Sequence, residues 1–223
     1  MSISVKPPRR SALGVAWHGD FSRGWDGIAR ADGIRYGVGA DQVSLDGRWA
    51  EFHGANGEAI IYPPQECLAR DEITCGVWYK DIEIQGESYA TFVGQWDTSA
   101  GSPTGRSWAI RFRDTSQIYF SLGSGGGLNN LSDAITADQR SGVHLVVCRW
   151  KSGSNMDIYF DGELLDSGGS FAGTLDSYDT PLSVGRDNNT DASPVGQLAD
   201  PFVEFRYWSE EEIRDLYRGS LFR

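Results

Sequence analysis

From about residue 43 onward, apolar and polar residues alternate with a period of two in short bursts: VSL, RWAEFHG, EAIIYP, ITCGVWYKDI, SYATFVGQW, RSWAIRFRD, SQIYFSL, GVHLVVCRW, NMDIYF and PLSVG. Gly, Asn, Asp, Ser and Pro separate them, so each burst reads as a strand ended by a turn. In RSWAIRFRD, Trp108, Ile110 and Phe112 fall on one face and Ala109, Arg111 and Arg113 on the other, the pattern of a half-buried strand. HLVVCRW is apolar on both faces, as a central strand covered on two sides must be. Two antiparallel sheets packed face to face accommodate both kinds.

The segment MDIYFDGELLDSG (156–168) shows how such strands are joined. Asp161 and Gly162 suit the two positive-φ positions of a type I′ turn, whose twist matches that of paired strands. A two-residue loop sets Phe160 opposite Glu163, Tyr159 opposite Leu164 and Ile158 opposite Leu165, with Met156, Ile158, Phe160 and Leu165 on the buried face. The period changes only at the end. Val203, Phe205 and Tyr207 alternate, and then Ser209 and Glu212 form a capping box ahead of Ile213, Leu216 and Tyr217, predicting a short helix with Gly219 as its stop. Three acidic residues in its first turn suit the helix dipole.

Composition narrows the function classes. The chain has 223 residues, enough for one large β domain with its own core, and its 28 Gly fit a fold rich in tight turns. A net charge of −11 argues against nucleic acid as partner. The one basic cluster, KPPRR (6–10), reads as part of a polar N-terminal arm or covering segment spanning residues 1–40, ahead of the domain at 41–223. No apolar run reaches membrane-spanning length, so no membrane partner is expected. Cys67, Cys75 and Cys148 form an odd set without metal-ligand spacing and are expected as reduced thiols, Cys148 as a core residue.

The succession CRWKSGSNMDIYFDGELLDSG, PLSVGRDNN and GQLADPFVEFRYWSEEEIRDLY resembles the C-terminal half of concanavalin A-like jelly rolls of the laminin G-like type. The residues carrying the likeness are Tyr159, Asp161, Gly162, Leu182, Val184, Gly185, Gly196, Glu211, Glu212 and Ile213. The resemblance implies a mainly β, two-sheet antiparallel jelly-roll sandwich with a short C-terminal helix. Where such domains often carry Ile-Asp-Glu, this chain has Leu198-Ala199-Asp200-Pro201, and Pro201 lacks a ladder donor, which predicts an edge or a bulge. The ending LYRGSLFR is similar to the tails of laminin G-like domains in tailed-bacteriophage structural proteins.

Chemistry in the sequence is sparse. Glucanases of this architecture need paired carboxylates facing one cleft, and the nearest set is Asp81, Glu83 and Glu87 in DIEIQGE, where Gly86 breaks the strand. His144 stands among apolar strand residues and reads as structural, and SGGGL (124–128) reads as a loop with no phosphate-binding role. No catalytic residue and no cofactor is assigned. Asp97, Asp187, Asn188 and Asp191 carry oxygen ligands of the kind calcium takes, but Asp and Asn in turns also bond their own backbone, and no metal is assigned. Glycan contact would need exposed rings, for which Trp25, Trp96 and Trp208 are the candidates, whereas Trp108 and Trp150 read as internal. The resemblance implies a non-catalytic virion structural protein, a bacteriophage capsid decoration or appendage subunit that associates with other virion proteins and with itself. The alternative is a lectin-like module for cell-surface glycans.

Overall fold

The computed structural model describes residues 17–18, 34–36, 44–46, 49–54, 59–64, 70–84, 89–97, 105–113, 116–176, 180–186 and 193–220. In chain order the strands are β1 (Trp17–His18), β2 (Ile34–Tyr36), β3 (Ser44–Asp46), β4 (Trp49–His53), β5 (Ala59–Pro64), β6 (Glu72–Ile84), β7 (Tyr89–Trp96) and β8 (Arg106–Arg113). There follow β9 (Gln117–Ser124), β10 (Gly127–Ala134), a one-turn helix α1 (Ala137–Arg140), β11 (Val143–Lys151), β12 (Met156–Phe160) and β13 (Glu163–Gly168). The chain then forms β14 (Pro181–Val184), β15 (Pro194–Glu204) and the helix α2 (Glu210–Ser220).

Among the described residues these strands form two antiparallel sheets. One runs β13-β12-β11-β6-β15-β4-β3, with β1 also paired to β15, and the other runs β10-β9-β8-β7-β14-β5-β2. The mainly β two-sheet sandwich with a C-terminal helix is therefore present as expected. Two stretches from within residues 1–40 add strands to it, β1 on β15 and β2 on β5.

Between the sheets lies the main core, in which Trp108, Ile110 and Phe112 of β8 meet Val146, Cys148 and Trp150 of β11 together with Met156, Ile158 and Phe160 of β12. Trp108 and Trp150 are fully buried, as their strand positions predict. A second apolar cluster forms on the far side of the first sheet, where Trp78, Leu145, Val147, Tyr159 and Phe202 pack against Trp208 and Ile213 at the start of α2. This is why HLVVCRW is apolar on both faces: one side fills the sandwich and the other is roofed by α2.

The β12–β13 turn has the predicted backbone, with φ +52° at Asp161 and +83° at Gly162. Gly162 is also where α2 comes closest, since a Cβ there would stand 3.1 Å from the Cβ of Tyr217. Register departs from expectation at one position. Phe160 pairs with Glu163 and Tyr159 with Leu164, but a bulge between Ile158 and Tyr159 pairs Ile158 with Asp166 and leaves Leu165 as the extra residue. Leu165 still packs partly buried against the main core.

Pro201 occupies a bulge, the second of the two predicted settings. The β15–β6 register shifts between Ala199 and Phe202, and Asp200 takes φ +44°. At that bulge β15 changes its outer neighbour from β4 to β1, so the missing Pro N–H falls where pairing already lapses. A second bulge near the start of β15 leaves Gly196 at φ +126°, where a Cβ would lie 2.4 Å from the Asp81 carbonyl oxygen. Only glycine fits there.

The capping box of α2 is formed. Ser209 N donates to Glu212 Oε2 at 2.8 Å and Glu212 N donates to Ser209 Oγ at 3.2 Å. The helix continues through Gly219 to Ser220, so Gly219 does not end it, a correction to the predicted stop. The strand β8 differs too. Its outward Arg111 is only 9% exposed, because the rings of Tyr89 and Trp96 lie at 4.4 and 4.7 Å from its guanidinium carbon.

Candidate functional site

At one rim of the sandwich, the β9–β10 turn and the segment after β13 enclose an open hollow of about 540 Å³. Its lining includes Ser124, Asn129, Phe171, Gly173, Thr174 and Asp176. The turn is made by Gly125 and Gly126, with φ +58° and +79°, so SGGGL is a hairpin tip.

Asp176 fixes that tip. Its Oδ1 accepts from Gly125 N at 2.9 Å and its Oδ2 from Gly126 N at 3.3 Å, while Ser124 Oγ donates to the Thr174 carbonyl at 2.7 Å. The segment itself is tied down along its length: Gly153 N to Phe171 O at 2.9 Å, Gly173 N to Ser152 Oγ at 3.0 Å, Leu175 N to Arg70 O and Asp176 N to Gly123 O at 2.7 and 2.8 Å. Phe171 stacks on Trp150, with centroids 4.3 Å apart and planes 9° from parallel, so its ring is held in place by the core beneath it. The hollow is therefore assembled before any ligand arrives. A fixed ring, an amide with both donor and acceptor, hydroxyls and a carboxylate are the groups that orient a polyhydroxylated molecule.

The residues singled out in the sequence lie elsewhere. Trp96 and Trp208 are 1% and 3% exposed and so offer no platform to a glycan. Trp96 lies beside Arg111 and Arg106, and Trp208 stacks on Phe202 at 5.2 Å while its Nε1 donates to Glu204 Oε2 at 2.9 Å. Trp25 lies outside the described residues, as do Asp187, Asn188, Asp191, Glu87 and Cys67. Asp97 donates its N–H to the Gly105 carbonyl at 2.8 Å, and no cluster of His, Cys, Asp and Glu with metal-holding geometry occurs among the described residues.

Asp81 and Glu83 are exposed near the end of β6, and Asp81 Oδ1 accepts from Gly142 N at 2.7 Å, a role in joining loops. His144 is held on three sides. Its Nδ1 meets Asp161 Oδ2 at 2.8 Å, its Nε2 meets the Ser141 carbonyl at 2.9 Å, and its ring packs on Phe160 at 4.9 Å. Asp161 thereby serves more than its turn, since its Oδ1 also accepts from Leu145 N at 2.9 Å. Cys75 and Cys148 are free, buried and directly opposite on β6 and β11, and burial pushes both thiols well above their usual range.

The outer face of the second sheet carries a different chemistry. Arg111 and Arg113 alternate with the core residues of β8 and meet Tyr89 and Tyr119 there. Among the described residues of its strands the one carboxylate is Asp133, whose cross-strand partner Ile118 belongs to the core side.

A model of the concanavalin A-like lectin/glucanases superfamily matches residues 53–214, more than two-thirds of the chain. The chain belongs to that superfamily. Comparison with curated protein sequences returns no match. Among solved structures, the ligand-binding domain of botulinum neurotoxin serotype D, in complex with N-acetylneuraminic acid, is similar with a TM-score of 0.69 and 16% identity, over 93% of this chain and 51% of that one. The binding domain of botulinum neurotoxin serotype G aligns with a TM-score of 0.70 and 13% identity, over 92% and 50%. That of Paraclostridial Mosquitocidal Protein 1 aligns at 0.61 and 14%, over 84% and 52%. This member of the superfamily spans about half the length of each, and at such identities the likeness is one of fold.

The hollow had little to announce it in the sequence. Gly125 and Gly126 mark a turn, but Asp176 reaches them from 50 residues away, and no local pattern pairs the two.

Proposed function

We propose that this chain is a non-catalytic carbohydrate-binding module that takes a sugar in the rim hollow. The observation that carries this reading is the hollow itself: Asn129, Thr174 and Asp176 set around a Phe171 ring already fixed on Trp150. Superfamily membership supports it. So does the solved complex of the serotype D domain with N-acetylneuraminic acid, although this chain corresponds to about half of that domain and the ligand indicates a class of partner, not a position.

The non-catalytic part rests on carboxylates. Glycoside hydrolysis in this architecture needs two acids facing each other across about 5–10 Å of cleft. Among the described residues, the one acid in the strands of the second sheet, Asp133, accepts from the neighbouring Ala134 N–H at 2.7 Å. Asp81 and Glu83 lie at an exposed end of the other sheet with Ile82 buried between them.

A glycan array followed by calorimetric titration with the best ligand tests the proposal. Asn129→Ala should weaken binding at least tenfold without changing the melting temperature, and no polysaccharide should be hydrolysed. An array without a single binder would refute it. A place on a phage particle remains the proposed setting, supported by the likeness of LYRGSLFR to virion-protein tails. Addition of the purified chain to particles stripped of it tests that setting, and failure to associate would remove it.

A further inference from the structure

The side chains of the rim hollow offer a ligand more acceptors than donors. Asp176 spends one lone pair of each carboxylate oxygen on the Gly125 and Gly126 N–H groups, and a carboxylate has about four such sites, so accepting capacity stays open. Ser124 gives its hydroxyl proton to the Thr174 carbonyl at 2.7 Å, which leaves its oxygen to meet a ligand as an acceptor. The Asn129 amide and the Thr174 hydroxyl can donate, and each can also accept.

Charge runs the same way. Asp176 is the one charged residue among the described lining of the hollow. Two neighbouring cations are turned elsewhere. Arg70 lends Leu175 its carbonyl oxygen, but its guanidinium carbon lies over the Phe205 ring, 5.6 Å from the centroid. Lys151 follows the buried Trp150 on β11 and so projects to the opposite side of the first sheet. Phe171 adds a ring fixed by stacking on Trp150, and the electron-rich face of such a ring attracts cations. The chain's net charge of −11 sets a long-range field that draws in cations and repels anions.

We infer that the hollow selects an amino sugar carrying a free ammonium group and places that ammonium against Asp176. An ammonium brings three N–H donors and no acceptor, so it answers the surplus of acceptors while pairing with the one charge there. A hydroxyl in its place brings one donor and no charge, and N-acetylation likewise leaves a single N–H and no charge. An acidic sugar brings further acceptors and a charge of the same sign as Asp176, so uronic acids are the class this hollow disfavours most. The inference rests on the carbohydrate-binding reading above and adds the sign of charge that the ligand must carry.

Calorimetric titration of the full chain with methyl glycosides of glucosamine, N-acetylglucosamine, glucose and glucuronic acid, and with the same four in the galactose series, tests it. In at least one series the free amine should bind roughly tenfold tighter than its hydroxyl and N-acetyl counterparts, with the uronate weakest, and that advantage should shrink as salt is raised. Asp176→Asn should abolish the advantage. Glu211→Gln, the same charge change at an exposed position on α2, should leave it, because a ligand drawn only by the net charge of the chain would feel both losses alike. Amide shifts at Gly125 and Gly126 on adding the amine to the unaltered protein give a readout that does not depend on how well the variant keeps its hairpin tip. A neutral or acidic member that binds as tightly as the amine, an amine preference that survives Asp176→Asn, the absence of shifts at both glycines, or no binding by any member would each overturn the selectivity. A glycan array that then yields binders leaves the carbohydrate reading standing, and a blank array removes both.

Discussion

Arg149 and Arg113 each bring a guanidinium against tyrosine rings, on opposite outer faces of the sandwich, and their surroundings differ in kind. Arg149 stands 4.8 Å from the Tyr159 ring and 4.4 Å from that of Tyr207, pairs with Asp157 Oδ2 at 2.8 Å and donates to the Trp208 carbonyl at 2.6 Å. Both members of that ion pair are 8% exposed, and Ser167 Oγ and the Tyr207 hydroxyl complete the hydrogen bonding of Asp157 at 2.6 and 3.1 Å. Arg113 shares its phenols in a half-open position. The phenols report the difference. Tyr207 is raised, by burial first and then by the charge of Asp157, whereas Tyr119 is lowered. One cluster closes on itself and fastens α2 to the first sheet. The other faces outward.

Breaking the closed cluster should cost the most. Arg149→Ala leaves Asp157 buried without its cation and should lower unfolding free energy by about 3–5 kcal/mol, read from chemical denaturation. If the loss stays under about 1 kcal/mol, the network is ornamental to α2 docking. Gly162→Val comes next, at about 2 kcal/mol, because a β-branched residue must adopt positive φ while its Cβ meets Tyr217. An unchanged thermal midpoint would contradict the turn geometry.

Ser209→Ala removes one side of the capping box and should cost about 1 kcal/mol. Glu212, the other side, opposes burial with hydrogen bonds from Ser209 and Arg206 and the charge of Arg206, and its carboxyl is held below the usual range. A depressed acid stabilises the fold above its unfolded pKa, and that contribution is lost as pH falls through the folded one. Glu212→Gln should therefore flatten the acid limb of the stability profile below about pH 4.5. A limb of unchanged slope would argue that the carboxylate is idle.

On the open face, Arg113→Gln should change stability by less than about 0.5 kcal/mol, the smallest effect of the series. Absorbance titration sharpens the contrast further. Tyr119→Phe should delete an early-ionising phenol and Tyr207→Phe a late one, and the reverse order would invert the assignment of the two faces.

Much of the frame was readable in advance because it depends on neighbours in sequence. The Asp161-Gly162 turn, the Ser209–Glu212 cap and the alternation of β8 are each set within a few residues, where backbone sterics and strand period decide. The helix α1 carried the same kind of signal in Thr136 and Gln139, which form a capping box, although a single turn gave too little period to stand out. Trp96 and Trp208 show the limit. Both were candidates for exposed rings, and burial came instead from Arg106 and Arg111 across a strand pair and from α2 folding back.

By itself, then, the sequence determined the strands, their turns, the terminal helix and the sandwich they form, since period and turn chemistry act over a few residues. Only the tertiary structure decided which faces are covered and where a ligand can enter. Asp176 closes the Gly125-Gly126 tip from about 50 residues away, Thr74 Oγ1 accepts from Trp208 N across 134, and Tyr89 reaches Arg111 from another strand. Such contacts depend on how two sheets and a helix settle against one another, and no periodicity along the chain encodes them.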